Sequence, residues 1–198
     1  MSNQYFENNE NLKSNIQTIR YYFKKTTLLF DTDHGVFSKG GIDFGSNALL
    51  QTLPSLEDKT TLLDVGCGYG TMGLTLAKKY SNLTVDMVDV NLRAIDLCKS
   101  NALKNDVNNV NVFESNCYEN VDKTYDIIIS NPPIRAGKKV VFAILEGAYE
   151  HLVDDGELWI VIQKKQGAES SLKHLRELYE NVEIVNKDGG YWIIKSRK

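Results

Sequence analysis

Thr61-Leu62-Leu63-Asp64-Val65-Gly66-Cys67-Gly68-Tyr69-Gly70 joins a short apolar run to a glycine-rich turn, and a helical pattern follows over 71–80. An apolar run bounded by glycine reads as a strand covered on both faces. Gly66 and Gly68 allow a ligand to approach the backbone closely, and Gly70 allows close packing where the helix starts. The same alternation continues downstream, with strands over 84–88, 110–113, 125–129 and 158–162 and helices over 92–103 and from about 138 to 151. A helix over 168–179 precedes two β runs, 182–185 and 191–194, joined through Asp188-Gly189-Gly190 with a hairpin's spacing. This order predicts an α/β fold: a doubly wound, mostly parallel sheet with an antiparallel hairpin at its C-terminal edge.

Upstream, residues 1–25 mix polar and aromatic positions (Tyr5, Phe6, Tyr21, Tyr22, Phe23) with Lys13, Arg20, Lys24 and Lys25, and read as a loose or helical arm. Residues 26–198 then form the main domain. Within it, 28–32 is expected as a strand turned by Asp33-His34-Gly35 into Val36-Phe37-Ser38, and 43–53 as a helix stopped by Pro54. At 198 residues the chain fits one α/β domain with a full core. With 23 basic and 26 acidic residues the formal charge is −3, so no overall basic character points to nucleic acid, and a local patch would have to supply phosphate contacts. Cys67, Cys98 and Cys117 are odd in number and widely spaced, which argues against a disulfide framework or a metal site and for a reducing, cytoplasmic setting. No run has membrane-spanning length and no signal peptide is evident.

In doubly wound sheets, ligands bind beyond the strand C-termini where strand order reverses. A dinucleotide loop would read GxGxxG, but Thr71 stands at the third glycine position and Asp64 precedes the glycines. A carboxylate there repels pyrophosphate and suits the ammonium of an amino acid, which points to S-adenosylmethionine, a cation without phosphate. Asp89 ends the second strand about 20 residues after the loop, where a carboxylate accepts hydrogen bonds from both ribose hydroxyls. The lesser alternative is a cap of the next helix, a role that Asn91 or Asp89 could fill. Asp86, three residues earlier, is expected at a surface or strand position. The cofactor set is therefore Asp64, Gly66, Cys67, Gly68, Gly70, Asp89 and Val90, with Asn116 and Cys117 after the third strand near the adenine edge, and Asn131.

Ser130-Asn131-Pro132-Pro133-Ile134 directly follows the apolar run Tyr125-Asp126-Ile127-Ile128-Ile129. Neither proline has an N–H to donate, so this corner faces its ligand as acceptors: the Asn131 side-chain oxygen and backbone carbonyls. An acceptor set fits a substrate that offers an amino group, and Asn131, Pro132 and Pro133 are the expected catalytic residues.

The glycine loop, the strand-terminal acid and the Asn-Pro-Pro corner together resemble the class I methyltransferases, whose sheet is Rossmann-like. The flanking segments narrow the likeness. Asp33-His34-Gly35-Val36-Phe37-Ser38-Lys39, Asp43-Phe44-Gly45-Ser46, Val88-Asp89-Val90-Asn91 with Arg93-Ala94, and Asn131 through Lys138 look closest to the bacterial small-subunit ribosomal-RNA guanine-N2-methyltransferases. The likeness covers roughly residues 20 to 198. Longer members carry an additional N-terminal half, and this chain looks like the short, single-domain form.

The resemblance implies methyl transfer to the exocyclic amine of a guanine in 16S rRNA, with ribosomal RNA or the small subunit as partner, a monomeric enzyme, and no metal. Two acceptors holding both N–H bonds would twist the nitrogen toward sp³ character and aim its lone pair at the methyl group. Many amine methyltransferases place an aromatic residue after the second proline, where Ile134 stands here. Stacking on the base is then expected from Phe37, Tyr21 or Tyr22, with Ile134 as an apolar face. Lys39, Arg135, Lys138 and Lys139 are candidate phosphate contacts, and Phe37, Lys39, Ile134, Arg135 and Lys138 the candidate substrate residues. Competing readings are a protein-glutamine or DNA adenine-N6 methyltransferase, which share the corner, and a non-catalytic RNA-binding or assembly factor.

Overall fold

The computed structural model describes residues 15–38 and 40–198. Two strands, β1 (Gln17–Phe23) and β2 (Thr26–Thr32), precede α1 (Phe44–Thr52). The alternation follows as β3 (Thr61–Val65), α2 (Thr71–Lys79), β4 (Thr84–Asp89), α3 (Leu92–Lys104), β5 (Val110–Glu114) and β6 (Tyr125–Ser130). The chain closes with α4 (Lys138–His151), β7 (Leu152–Gln163), α5 (Ala168–Leu178), β8 (Asn181–Asp188) and β9 (Tyr191–Arg197). The main sheet has seven strands in the order β5-β4-β3-β6-β7-β9-β8. All pairs from β5 to β7 are parallel, and β9 runs antiparallel to both β7 and β8.

Strand alternation divides the core in two. Leu62, Val85, Met87, Ile127, Ile129 and Trp159 pack on the face covered by α1, α2, α3 and the β1–β2 hairpin. Leu63, Val65, Val88, Ile128, Leu158 and Ile160 pack on the face covered by α4 and α5. Because both faces are buried, consecutive positions such as Ile127, Ile128 and Ile129 are all fully enclosed, which explains why these strands read as unbroken apolar runs. Helix caps follow simple chemistry: the Asp43 carboxylate accepts the Ser46 N–H at 2.9 Å, and the Asn91 amide oxygen accepts the Ala94 N–H at 3.2 Å.

Several expectations are corrected. Residues 17–25 are not a loose arm: β1 pairs with β2 through a two-residue turn in which Lys24 and Lys25 have φ of 41° and 69°. That turn normally takes Asn-Gly, so Lys-Lys gave no local signal. Tyr21 and Phe23 belong to the core. The partner of the 28–32 run is therefore upstream, and Val36-Phe37-Ser38 forms turn structure instead of a strand. Tyr5, Phe6 and Lys13 lie outside the described residues. β7 starts at Leu152, directly after α4, because Val153–Gly156 forms an irregular bulge with Asp155 at φ 62°. Asp86 sits in a strand but not at the surface: it is 2% exposed, and its Oδ2 accepts from the Tyr125 hydroxyl at 2.7 Å and from Lys123 Nζ at 3.0 Å. Among the described residues no helix is long and apolar enough to cross a membrane.

The hairpin is held by an amide ladder. Asn101 in the last turn of α3 and Asn105 at its C-cap present their carboxamides to the free edge of β2 as another strand would. Asn101 accepts the Asp31 N–H at 2.7 Å and donates to the Asp31 carbonyl at 2.9 Å. Asn105 does the same for Leu29, at 2.8 and 2.7 Å. Asn101 also donates to the Tyr69 carbonyl at 2.9 Å, which ties the hairpin to the glycine loop. Replacing Asn101 with Ala leaves buried backbone groups unpaired, and a loss of about 2 kcal/mol or more is expected in urea denaturation. An unchanged midpoint would show that the ladder contributes nothing.

Candidate active site

Strand order reverses between β3 and β6, where a doubly wound sheet opens its crevice. Val65 is in register with Ser130, and the Ser130 hydroxyl donates to the Val65 carbonyl at 2.7 Å. Gly66 and Asn131 therefore leave the sheet side by side. The N–H groups of Gly66 and Cys67 both reach the Val88 carbonyl at 2.9 Å, pinning the glycine loop across the end of β4. A cavity of about 600 Å³ opens over these strand ends.

Most of the expected residues come together on its walls. Gly66, Cys67, Gly68, Asp89, Val90, Asn116 and Cys117 line it, as do Phe37, Asn131, Pro132, Pro133, Ile134 and Arg135. Asp64, Gly70 and Lys138 are not among the lining residues, and Lys39 lies outside the described residues. Gly70 caps α2 with φ 100°, and a Cβ there would meet Leu74 Cδ1 at 2.6 Å and Cys98 Sγ at 2.8 Å, so its role is packing. Lys138 places its ammonium 4.8 Å above the Phe142 ring on the flank of α4.

Asp64 is fully buried beneath the loop. Its Oδ2 accepts the Gly73 N–H at 2.8 Å, while Oδ1 has no partner among the described residues. Burial pushes its carboxyl up to about 7, opposed by the Gly73 hydrogen bond and reinforced by the nearby Asp89 charge. Asp89 stands at the cavity with Oδ2 accepting the Gly68 N–H and Oδ1 the Asn91 N–H, each at 2.9 Å. Burial raises its pKa too, against these backbone donors. The Cys67 thiol is pushed well up by its Cys98 neighbour and by burial, so it remains protonated and is no thiolate nucleophile. These features fit S-adenosylmethionine. Gly66 and Gly68 have φ of 77° and 56°, with open space where a Cβ would be, and thus form a cradle without side chains. Asp89 supplies acceptors for a diol, whereas Asp64, expected to pair with the cofactor's ammonium, is sealed beneath the loop and does not reach the cavity wall.

At the corner, the Asn131 amide nitrogen donates to Asp43 Oδ2 at 2.9 Å and to Ser46 Oγ at 3.0 Å. A carboxylate only accepts, so the NH₂ end must face Asp43, and among the described residues the Asn131 oxygen has no donor. Asp43, Ser46 and Tyr191 all line the cavity and received no site role from sequence. Asp43-Phe44-Gly45-Ser46 was visible as a motif, but nothing local said that it meets position 131. Tyr191 arrives from β9, where no signal exists. Of the aromatic candidates for stacking, Tyr21 is excluded by its 7% exposure and its hydrogen bond to Asn47 at 2.8 Å. Tyr22 is exposed on the hairpin and does not line the cavity. Phe37 is half exposed at the mouth.

Fold and cavity define a class I methyltransferase architecture. The chain belongs to the methyltransferase small domain family, matching it over residues 27–195. It is 48% identical to the uncharacterized protein YbxB of Bacillus subtilis (strain 168) over the full length of both. It is 35% identical over 83% of its length to ribosomal RNA small subunit methyltransferase C of Vibrio parahaemolyticus, of which it spans 48%. A second methyltransferase C, from Psychromonas ingrahamii, is 33% identical, with 90% of this chain and 51% of the relative covered. The chain thus spans about half the length of these methyltransferase C relatives. Its fold matches the T. thermophilus 16S rRNA N2 G1207 methyltransferase (RsmC), solved in complex with AdoMet and guanosine. The TM-score is 0.84 at 23% identity, covering 92% of this chain and 50% of that one.

The Asp64 environment makes a stability prediction. In the unfolded chain its carboxyl ionises near about 4, whereas in the fold it holds its proton to about 7. The fold therefore binds more protons across this window, and stability falls as pH rises through it. Asp64→Asn keeps an acceptor for Gly73 without the charge. Its stability relative to the parent should grow between about pH 4 and 7, by up to about 4 kcal/mol. Parallel urea curves at all pH values would refute the buried carboxyl's part.

Proposed function

We propose that this protein transfers a methyl group from S-adenosylmethionine to the exocyclic N2 amine of a guanine in small-subunit ribosomal RNA. The observation that carries the reading is the Asn131 amide: its nitrogen is consumed by Asp43 and Ser46, so its oxygen is the end left for a substrate, and Pro132, which has a carbonyl but no N–H, lines the same cavity. Two acceptors at one point suit an NH₂ group and would repel a carbonyl. The small-subunit methyltransferase C relatives, at 33–35% identity, support the RNA assignment.

Gly66 and Gly68 cradle the cofactor, Asp89 takes its ribose hydroxyls, and Asn116 and Cys117 flank the adenine. The cofactor supplies an electrophilic methyl group on a sulfonium. Asn131 Oδ1 and the Pro132 carbonyl hold both amine hydrogens, orient the nitrogen lone pair and stabilise the positive charge that grows on it. The proton leaves to water after transfer, so no strong base is required. Phe37 supplies the stacking face that Ile134 does not, and Ile134 lies as an apolar wall. Arg135, Lys138 and Lys139 take backbone phosphates around a base turned out of its stack.

The test incubates the protein with labelled cofactor and separate samples of 16S rRNA, small subunits and protein extract, then identifies the modified nucleoside by mass spectrometry. N2-methylguanosine from RNA or subunits is expected, and label found only in protein would end the proposal. Asn131→Ala should retain affinity for S-adenosylhomocysteine while turnover falls about a hundredfold. Asp89→Ala should weaken that affinity about tenfold or more by calorimetry.

A further inference from the structure

We propose that Asp43 is a positioning residue, which sets the orientation of the Asn131 carboxamide through the same oxygen that caps α1. This deepens, and rests on, the amine-methylating reading of the Asn131 corner.

Asp43 Oδ2 accepts from the Ser46 backbone N–H and from Asn131 Nδ2, each at 2.9 Å. The Ser46 hydroxyl lies 3.4 Å from the same oxygen and 3.0 Å from Asn131 Nδ2. Both hydrogens of the Asn131 amide are thus matched by acceptors that belong to the first turn of α1. An unrestrained asparagine at the end of β6 would turn about its last torsion, which is broad and nearly two-fold for an amide. Turned over, it would offer NH₂ to the substrate amine, a donor facing a donor. The carboxylate removes that alternative because it cannot donate to the oxygen end.

Packing keeps Asp43 in place. Its backbone is extended at φ −58°, ψ 137°, as an N-cap requires. Phe44 packs on Tyr191 with ring centroids 5.6 Å apart, and a Cβ at Gly45 would meet Tyr191 Cε1 at 2.9 Å, so the start of α1 is seated directly on the Tyr191 ring of β9. A chain segment 88 residues before Asn131 therefore decides which end of its amide meets the substrate.

The decisive variant is Asp43→Ser. Serine is a good N-cap, so α1 retains its first-turn bond, but the hydroxyl ends one bond short of Asn131. Asp43→Asn is the conservative control, because its single oxygen can take both bonds. Two readouts are used. The Asn131 side-chain NH₂ signals in a ¹⁵N-labelled sample, identified by their loss in Asn131→Asp, report the lock without any RNA. Steady-state kinetics on 16S rRNA or small subunits report its consequence.

In the parent, slowly exchanging amide hydrogens are expected. In Asp43→Ser they should move to the positions of free side-chain amides, with kcat about tenfold or more lower and S-adenosylhomocysteine affinity and melting temperature retained. Asp43→Asn should restore both signals and most of the turnover. The proposal is overturned if the signals do not move in Asp43→Ser, or if they move while kcat stays at the parental value. Lost S-adenosylhomocysteine affinity with unmoved signals would instead assign Asp43 to the cofactor and also overturn it. If the parent methylates no RNA, the substrate assignment fails on its own, while the amide signals still decide the lock.

Discussion

The pairing of β3 with β6 is the constraint on which everything else at the site depends. With Val65 opposite Ser130, the chain emerging from one strand is the glycine loop and the chain emerging from the other is the Asn-Pro-Pro corner. A parallel register brings both to the same edge of the sheet, and the Ser130 hydroxyl bond to Val65 reinforces the alignment at its last rung. A slip by one residue would exchange the faces of every side chain in a strand buried on both sides. The two apolar clusters thus protect the spacing between the glycine loop and the Asn-Pro-Pro corner.

Around that edge, each functional group is held by a second one from a distant segment. The glycine loop is gripped by the Val88 carbonyl and the Asp89 carboxylate. The Asn131 amide is gripped by the first turn of α1. Asn101 links the hairpin to the loop at Tyr69. In each case a polar group meets an acceptor or donor of fixed geometry, which is how a site retains orientation. Asp64 differs, being left with one oxygen orphaned in the interior. An unmatched buried carboxylate costs free energy, and burial accordingly holds its proton up to about 7.

The parallel strands and their helices were legible because double-sided burial leaves uninterrupted apolar runs such as Ile127-Ile128-Ile129. The glycine loop, Asp89 and Asn131 were legible because strand ends carry the ligand groups in such sheets. The β1–β2 hairpin was not, since Lys24-Lys25 lacks the glycine or asparagine that marks its turn, and since its edge is satisfied by asparagine side chains on a helix. Tyr21 looked like a base-stacking residue because aromatic side chains read alike in sequence whether they face solvent or core.

The amino-acid order by itself determined the elements of the sheet, the glycine cradle and an acceptor corner, because these arise from residues adjacent along the chain. Tertiary structure alone decided that Asp43 meets Asn131, that Tyr191 closes the cavity and that Asp64 lies sealed beneath it. The first two relations join segments far apart in sequence and arise because α1 packs against β7 and β9, while Asp64 is enclosed by α2, whose Gly73 N–H it accepts.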